Sequence, residues 1–200
     1  MAKQFARIEA EHHDFILRQR VFFTASAAPD GRVNVSPREA GSLRLIGPNC
    51  VAYLDLTGSG SETAAHLRVT PRLTLMFCAF EGPPRILRLY GQGRSLRRCS
   101  PAYAGLHAAH YANEEPLGGR QIVLIDVDLV QTSCGYGGPL FDYRGERQSL
   151  ERWAQPKGEA GLEAYRREKN SFSIDGLSTG LCEAEASDET VEPLHAPEVA

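Results

Sequence analysis

The chain has 200 residues, of which 42% are hydrophobic and 24% charged, and its formal net charge is −3. This composition is typical of a globular protein with one main domain, and the lack of a basic excess argues against a nucleic-acid partner. Because no apolar run approaches the roughly 18 residues of a membrane span and residues 1–20 lack a secretory signal, we expect a cytoplasmic protein with a small-molecule ligand and no membrane partner.

Short β-rich runs alternate with turns over the first half of the chain. A short helix is predicted over residues 9–20, and the Asp30-Gly31 turn predicts a hairpin over residues 21–36. Two further strands flank the Gly47-Pro48-Asn49 turn. A helix is then predicted to open near Ser59 and to end near Arg68.

The remaining β pattern predicts strands over residues 72–80, 85–96 and 120–133, and the segment 101–111 has a helical pattern. Six or seven strands at short spacing, with isolated helices and no βαβ repetition, predict a closed or nearly closed antiparallel barrel. We assign this barrel to residues 1–145.

Beyond residue 145 the pattern becomes helical and charged. Pro156-Lys157-Gly158 divides residues 146–182 into two helices, which we interpret as a helical appendage. Residues 183–200 contain six acidic residues and few large apolar ones. This composition predicts an acidic, disordered tail.

The stretch Leu54–Leu67 passes from a strand through Thr57-Gly58-Ser59-Gly60-Ser61 into a helix. Ser59 and Glu62 have the spacing of a capping box, which would make this ordinary turn chemistry. The same amides and hydroxyls, at the positive end of a helix dipole, would also suit a phosphate group. The P-loop and dinucleotide-binding motifs do not match, so both interpretations stay open.

Metal and disulfide chemistry are not indicated. His107 and His110 have helical spacing but no third ligand, which favours a structural pair over a metal or haem site. The cysteines are odd in number, and none forms a CxxC pair, so we expect free thiols and no metal site. They are Cys50, Cys78, Cys99, Cys134 and Cys182.

Three segments in this order, "GRVNVSPREAG", "NCVAYLDLTGSGSETAAHL" and "RLTLMFCAFEGPPRILRLYGQGRSL", resemble the core of the pyridoxamine 5′-phosphate oxidase-related FMN-binding split-barrel family. The resemblance extends over about residues 21–130. It implies a mainly β, antiparallel six-stranded split barrel with short flanking helices. It also implies a homodimer that holds FMN in grooves at the subunit interface.

Carried over position by position, the resemblance implies a set of cofactor-binding residues at the flavin and its phosphate. These are Asn34, Val35, Ser36, Arg38, Asp55, Thr57, Gly58, Ser61, Glu62 and Thr63. No catalytic acid or base is indicated. The glycine-rich residues 134–139 would either border the flavin or form a turn at the dimer seam.

Glu62-Thr63 departs from the family pattern, which usually has a basic pair at this helix start. A carboxylate beside a phosphate would repel it, unless Glu62 turns back to the helix cap. Arg38 is the first candidate to restore positive charge, followed by Arg85 and Arg88.

The resemblance implies an FMN-dependent oxidoreductase that acts on a small-molecule substrate or electron donor, since flavins transfer hydride or single electrons. One alternative is a non-enzymatic protein that binds or stores flavin or haem. Another is a reductase that uses the deazaflavin F420. The sequence does not indicate the substrate.

Overall fold

The computed structural model describes residues 2–111 and 115–183, and its main feature is an antiparallel sheet that curls into a half-barrel. Its strands are β1 (Lys3–Phe5), β2 (Val21–Ser26), β3 (Asn34–Glu39), β4 (Leu43–Gly47), β5 (Cys50–Leu56), β6 (Arg72–Cys78), β7 (Ile86–Arg97) and β8 (Gly119–Ser133). The order is β3-β2-β6-β7-β8-β5-β4, and β1 pairs with β8. The predicted fold class is therefore confirmed.

The sheet has eight strands, whereas the resemblance implied six. Seven of the eight coincide with β-rich runs in the sequence. The additional strand, β1, is three residues long and mostly exposed, so it has no hydrophobic alternation that could reveal it.

The described helices are short and lie around the sheet. They are α1 (Ala10–Leu17), α2 (Glu62–Val69), α3 (Pro101–His110), α4 (Ser149–Ala154) and α5 (Gly158–Lys169), with 3-10 turns at Ala40–Ser42 and Gln155–Lys157. Pro156 lies in the second 3-10 turn, and Gly158 follows with φ +59°, which explains the break between α4 and α5. None of these helices is long and apolar enough to cross a membrane.

The main core lies inside the half-barrel. Phe22 on β2 packs edge-on against Tyr53 on β5 at a centroid distance of 5.7 Å. A second apolar cluster lies on the other face of β5 and β8, where Ala52 and Leu124 pack with Tyr103 of α3. Because both faces of β8 are covered, its first seven residues are all buried, and residues 122–125 form a continuous apolar run.

A bulge in β8, in which Asp128 is the extra residue, brings its backbone very close to β7. The pairing register shifts between Tyr90 and Gly91, and a Cβ atom at Gly91 would lie 2.1 Å from the carbonyl oxygen of Asp126. Only glycine fits at this separation, and such bulges bend a strand so that a sheet can close.

The helical appendage packs on the barrel. Leu162 of α5 is fully buried, and Glu159 of α5 pairs with Arg98 of the barrel at 2.5 Å. A hairpin-like segment follows, closed by a bridge between Phe172 and Ser178. The predicted tail lies outside the described residues except for Glu183, which pairs with Arg68 at 2.7 Å.

Candidate functional site

The strand-to-helix connection lies between β5 and α2, where β5 delivers Asp55 into the half-barrel and residues 57–61 form the turn. Asp55 is 1% exposed, whereas Ser59 and Gly60 are exposed. One side of the turn therefore packs on the barrel, and the other side is open to solvent.

A buried charged cluster joins three strands beside this turn. The carboxylate of Asp55 accepts a hydrogen bond from Nη1 of Arg38 on β3 at 2.5 Å. It also accepts from Nε of Arg120 at 2.9 Å and from the amide of Gln121 at 2.6 Å, both on β8. Burial alone would raise the pKa of Asp55, but the charges of Arg120 and Arg38 outweigh it and hold the pKa below its usual value. Asp55 is therefore ionised inside the barrel.

Arg38 keeps hydrogen-bonding capacity that this cluster does not use. Its Nε atom is buried and has no hydrogen-bond partner within residues 2–111 and 115–183. Its side chain is 20% exposed and also lines a surface groove. Since Arg38 and Arg120 surround a single buried carboxylate, the cluster carries one positive charge that Asp55 does not neutralise, and the carboxylate of Glu62 is near enough to stabilise the charged form of Arg38 as well. Arg38 is thus suited to attract an anion.

Arg120 holds the buried side of the turn, although the sequence did not indicate it as a site residue. Its Nη1 and Nη2 atoms donate to the carbonyl oxygens of Gly58 at 3.3 Å and Gly60 at 2.5 Å. Asn170, which follows α5, donates to the same Gly58 carbonyl at 2.9 Å and accepts from Arg120 at 2.9 Å. The signal that could have found Arg120 is a charge at the start of an apolar run, since a buried charge needs a partner.

The hydroxyl groups of Thr57 and Ser61 are engaged within the protein. Thr57 Oγ1 donates to the carbonyl of Gly118 at 2.7 Å and accepts from Nη1 of Arg166 on α5 at 3.1 Å. Ser61 Oγ donates to the carbonyl of Phe172 at 3.4 Å. Both hydroxyls therefore fix the turn against its neighbours.

Thr63 belongs to a second hydrogen-bonded group between α2 and the start of β3. Thr63 is 2% exposed, and its Oγ1 accepts from Nδ2 of Asn34 at 3.1 Å. Ser36 donates to Oδ1 of Asn34 at 3.1 Å, and Ser26 lies 3.0 Å from Nδ1 of His66. The structure therefore brings together Asn34, Ser36 and Thr63. The side chain of Val35 points the other way and is 61% exposed.

The capping box predicted from Ser59 is wrong. Helix α2 begins at Glu62 with Ser61 as its N-cap residue, and no side chain forms the cap hydrogen bond. Instead, the Glu62 carboxylate accepts from the backbone N–H of Ser61 at 3.0 Å. The two glycines that flank Ser59 lengthen the turn, so the helix starts later than the Ser-x-x-Glu spacing indicated.

A groove of about 1330 Å³ opens on the side of the sheet where β3 ends. Side chains of α1, of the ends of β2 and β3, of residues 79–85 and of residues 141–147 line it. Phe15, Phe23 and Phe80 contribute apolar surface. Of the predicted site residues, Arg38 lines this groove, whereas the turn residues lie outside its lining.

The glycine-rich residues 134–139 lead the chain onto this groove. A Cβ atom at Gly135 would lie 2.9 Å from the backbone nitrogen of Arg85, so glycine permits close packing against the start of β7. Farther along, the backbone of Phe141 donates to the carbonyl of Phe80 at 2.9 Å, and their rings lie 5.2 Å apart. These contacts hold residues 141–147 along the groove.

The remaining candidates have structural partners. Arg85 pairs with Glu11 at 3.2 Å, and Arg88 donates to Ser133 at 3.2 Å. The His107 ring is stacked between two tyrosines of α3 and its C-terminal end. Within the part of the chain that the structure describes, the cysteines are free and no cluster of three or more His, Cys, Asp or Glu residues could hold a metal ion.

Comparisons with known proteins agree with this architecture. A sequence model of the pyridoxamine 5′-phosphate oxidase family matches residues 8–134. The pyridoxamine 5′-phosphate oxidase family protein ustO of Aspergillus flavus is 38% identical over 180 residues, which are 82% of this chain and 72% of that protein.

Among solved structures, a variant of HupZ from Group A Streptococcus superposes with a TM-score of 0.52 at 17% identity. The match covers 63% of this chain and 99% of HupZ, and it shows a shared fold. A putative pyridoxamine 5′-phosphate oxidase of Lactobacillus delbrueckii gives a TM-score of 0.49 at 15% identity over 63% of this chain and 94% of that one.

Proposed function

Because the chain belongs to the pyridoxamine 5′-phosphate oxidase family, we propose that it binds FMN and acts as an FMN-dependent oxidoreductase on a small molecule. The observation that carries the proposal is Arg38. Its guanidinium is largely buried, keeps an unpartnered Nε atom among the described residues and belongs both to the Asp55 cluster and to the groove. An incompletely satisfied buried cation is costly unless a ligand completes its hydrogen bonds.

We assign the FMN phosphate to the solvent side of residues 57–63. The fit is good in charge, because the Asp55 cluster has one positive charge in excess and helix α2 directs its N-terminus there. The groups available to hold the phosphate differ from those of the family pattern. Since the hydroxyls of Thr57, Ser61 and Thr63 are engaged internally, backbone N–H groups and Arg38 would hold the phosphate.

Glu62 opposes this binding in the observed arrangement, because its carboxylate accepts from the Ser61 N–H. Binding a phosphate would require this carboxylate to move away, which a partly exposed side chain at a helix start can do at small cost. We therefore expect the phosphate to contribute less to FMN affinity than it would beside a basic pair.

The groove that contains Arg38 is the proposed place of the redox chemistry. Its volume of about 1330 Å³ exceeds the roughly 300–1,000 Å³ that ordinarily holds one small ligand, so it has room for a flavin ring and a substrate. When bound, FMN supplies hydride or electron transfer. The chain's part is to orient the ring, and the aromatic side chains of the lining, including Phe15, Phe23 and Phe80, offer apolar surface on which the ring can pack.

A homodimer belongs to the same proposal. Val33, which precedes edge strand β3, and Val35 on that strand are 70% and 61% exposed, and Phe172 and Ile174 are 63% and 70% exposed. The backbone N–H of Arg32 donates to Asp175 at 2.8 Å, so that Val33 and Ile174 each lie one residue from this contact. A second copy of the chain would cover this face. Light scattering should give twice the chain mass of 21.9 kDa, and a monomer that binds flavin would contradict the dimer.

The function is tested by the absorbance spectrum of the purified protein and by its turnover. We expect the bands of oxidised flavin, release of FMN on denaturation, and bleaching of the bands by NADH, NADPH or another reductant. A haem Soret band, F420 in place of FMN, or no affinity for added FMN would overturn the cofactor assignment. Bound FMN that no reductant or substrate reduces would instead indicate a binding or storage protein.

A further inference from the structure

We propose that Asn170, together with Arg120, is a positioning residue for the phosphate-binding turn, so that the C-terminal appendage takes part in cofactor selection. This inference rests on the proposed FMN function and extends it to a region beyond residues 8–134, where the family model ends. It assigns a role to a fully buried polar side chain that lies outside the barrel strands.

The appendage contacts the turn through the side chain of Asn170. Asn170 is 0% exposed and lies at the C-terminal end of α5. Its Nδ2 donates to the Gly58 carbonyl at 2.9 Å, and its Oδ1 accepts from Nη1 of Arg120 at 2.9 Å. The side chain therefore satisfies a turn carbonyl and the arginine that holds the turn at the same time.

The hydrogen bonds from Arg120 and Asn170 fix the orientation of two peptide groups in the turn. Arg120 and Asn170 hold the carbonyl of Gly58 on the buried side, and Arg120 also holds that of Gly60. In a planar trans peptide the C=O and the following N–H point in opposite directions. The N–H groups of Ser59 and Ser61 are consequently turned away from Arg120, toward the other side of the turn.

The side of the turn that faces away from Arg120 already accommodates an anionic oxygen. The Ser61 N–H donates to the carboxylate of Glu62 at 3.0 Å, and a Cβ atom at Gly60 would lie 3.3 Å from the same oxygen. Ser59 is exposed, and its N–H has no acceptor among the described residues. The carboxylate thus marks where a phosphate oxygen could be received.

The role of Asn170 is therefore to fix which face of the turn presents N–H groups. Without its donor, the Gly58 carbonyl would keep only the longer hydrogen bond from Nη1 of Arg120, at 3.3 Å, and the Ser59 N–H would be held less firmly in its direction. Arg120 alone would still hold the turn through Asp55 and Gly60. The loss should fall on recognition of the phosphate and leave recognition of the flavin ring unchanged.

The test compares FMN with riboflavin, which has the same ring without the phosphate, on the full chain. Asn170→Ala removes both hydrogen bonds, and Asn170→Ser shortens the side chain so that it no longer bridges Arg120 and Gly58 while it stays polar and uncharged. We expect both variants to bind FMN about tenfold more weakly, the effect of losing roughly one well-placed hydrogen bond to a charged group, and to bind riboflavin within about twofold of the wild type. Asn49→Ala is the matched control, because it also removes two side-chain hydrogen bonds to backbone carbonyls, those of Ala6 and Val127, at the opposite end of β5 from the turn. It should keep the wild-type preference.

The outcomes separate the two proposals. A wild-type protein that binds FMN and riboflavin equally, or neither, refutes the phosphate site itself. A wild-type preference for FMN that survives in both Asn170 variants refutes the positioning role alone, as does equal weakening of both ligands. Should both variants fail to fold, amide hydrogen exchange on the wild type decides: FMN but not riboflavin should slow exchange at residues 59–61, and equal slowing or none overturns the proposal.

Discussion

Arg38 on edge strand β3 donates to the carboxylate of Asp55 on β5 at 2.5 Å. Four strands separate β3 from β5 in the sheet order. Neighbouring strands lie about 4.8 Å apart, so in a flat sheet these residues would be more than about 20 Å from each other. The ion pair therefore exists because the sheet curls, and it connects barrel closure to the charge available for a cofactor.

Replacing Arg38 with Gln should weaken FMN binding by about 1.5–3 kcal/mol, the usual contribution of a hydrogen bond to a charged group, and riboflavin binding by less. The matched control is Arg88→Gln, since Arg88 donates to Ser133 on neighbouring strand β8 and touches neither the cluster nor the turn. Fluorescence titration with both flavins measures the difference. Equal losses in the two variants would show that the effect is one of overall charge.

Replacing Glu62 with Ala should increase FMN affinity, because it removes a carboxylate from the Ser61 N–H and frees that group for the ligand. We expect a gain of about 0.3–1 kcal/mol in FMN binding and a loss of similar size in the free energy of unfolding, since acidic residues stabilise helix N-termini. Glu168→Ala, on an exposed part of α5, is the control. Weaker FMN binding in Glu62→Ala would show that Glu62 helps to hold the cofactor.

The strands and the helical appendage could be predicted because hydrophobic alternation and turn residues are local signals. The hairpin over residues 21–36, for instance, follows from Asp30-Gly31, and the observed pairing sets Thr24 opposite Ser36. The cap of α2 could not be predicted, because Ser59 and Glu62 have the right spacing but the turn places Ser61 at the helix start.

The partners of the predicted site residues are set by contacts between residues far apart in the sequence. Asp55 was predicted beside the flavin, but nothing near it in the chain indicates that Arg120 and Gln121 would meet its carboxylate. Asn170 lies more than a hundred residues from Gly58 and reaches it through the packing of α5. Such contacts depend on tertiary structure, which spacing and periodicity do not encode.

Acid should loosen the appendage. Hydrogen bonds from Arg98 and Arg166 lower the pKa of Glu159 to about 2, from about 4.3 in an unfolded chain. A lowered pKa stabilises the folded state above the unfolded value, so this contribution should be lost as the pH falls from about 4.3 toward 2. Trp153 is the one tryptophan and packs on Tyr165 of α5 at 4.9 Å, so its fluorescence can report the transition.

In the Glu159→Gln variant, the acid-induced change in Trp153 fluorescence should be absent, because the variant has no carboxylate at this contact with the barrel. Glu163→Gln provides the control, because Glu163 pairs with Arg167 within α5 and makes no ion pair with the barrel in the described structure. If both variants titrate as the wild type does, Glu159 does not anchor the appendage.

Replacing Gly91 with Ala should destabilise the barrel strongly, since the new Cβ would lie 2.1 Å from the carbonyl oxygen of Asp126. The backbone of β7 or β8 would have to shift, and we expect a loss of about 3 kcal/mol in the free energy of unfolding. Gly47→Ala, where the added Cβ meets no atom within 4 Å, should cost far less. Urea denaturation of both variants measures this, and similar midpoints would argue against the close approach at the bulge.

Calorimetric titration of the wild-type apoprotein with FMN and with riboflavin tests the central claim, that this turn and Arg38 recognise a flavin phosphate. We expect FMN to bind at least about tenfold more tightly than riboflavin, which corresponds to about 1.4 kcal/mol. We also expect inorganic phosphate to compete with FMN and to leave riboflavin binding unchanged. Equal affinities for the two flavins, or a failure of phosphate to compete, would contradict this claim and would leave residues 57–63 a structural turn.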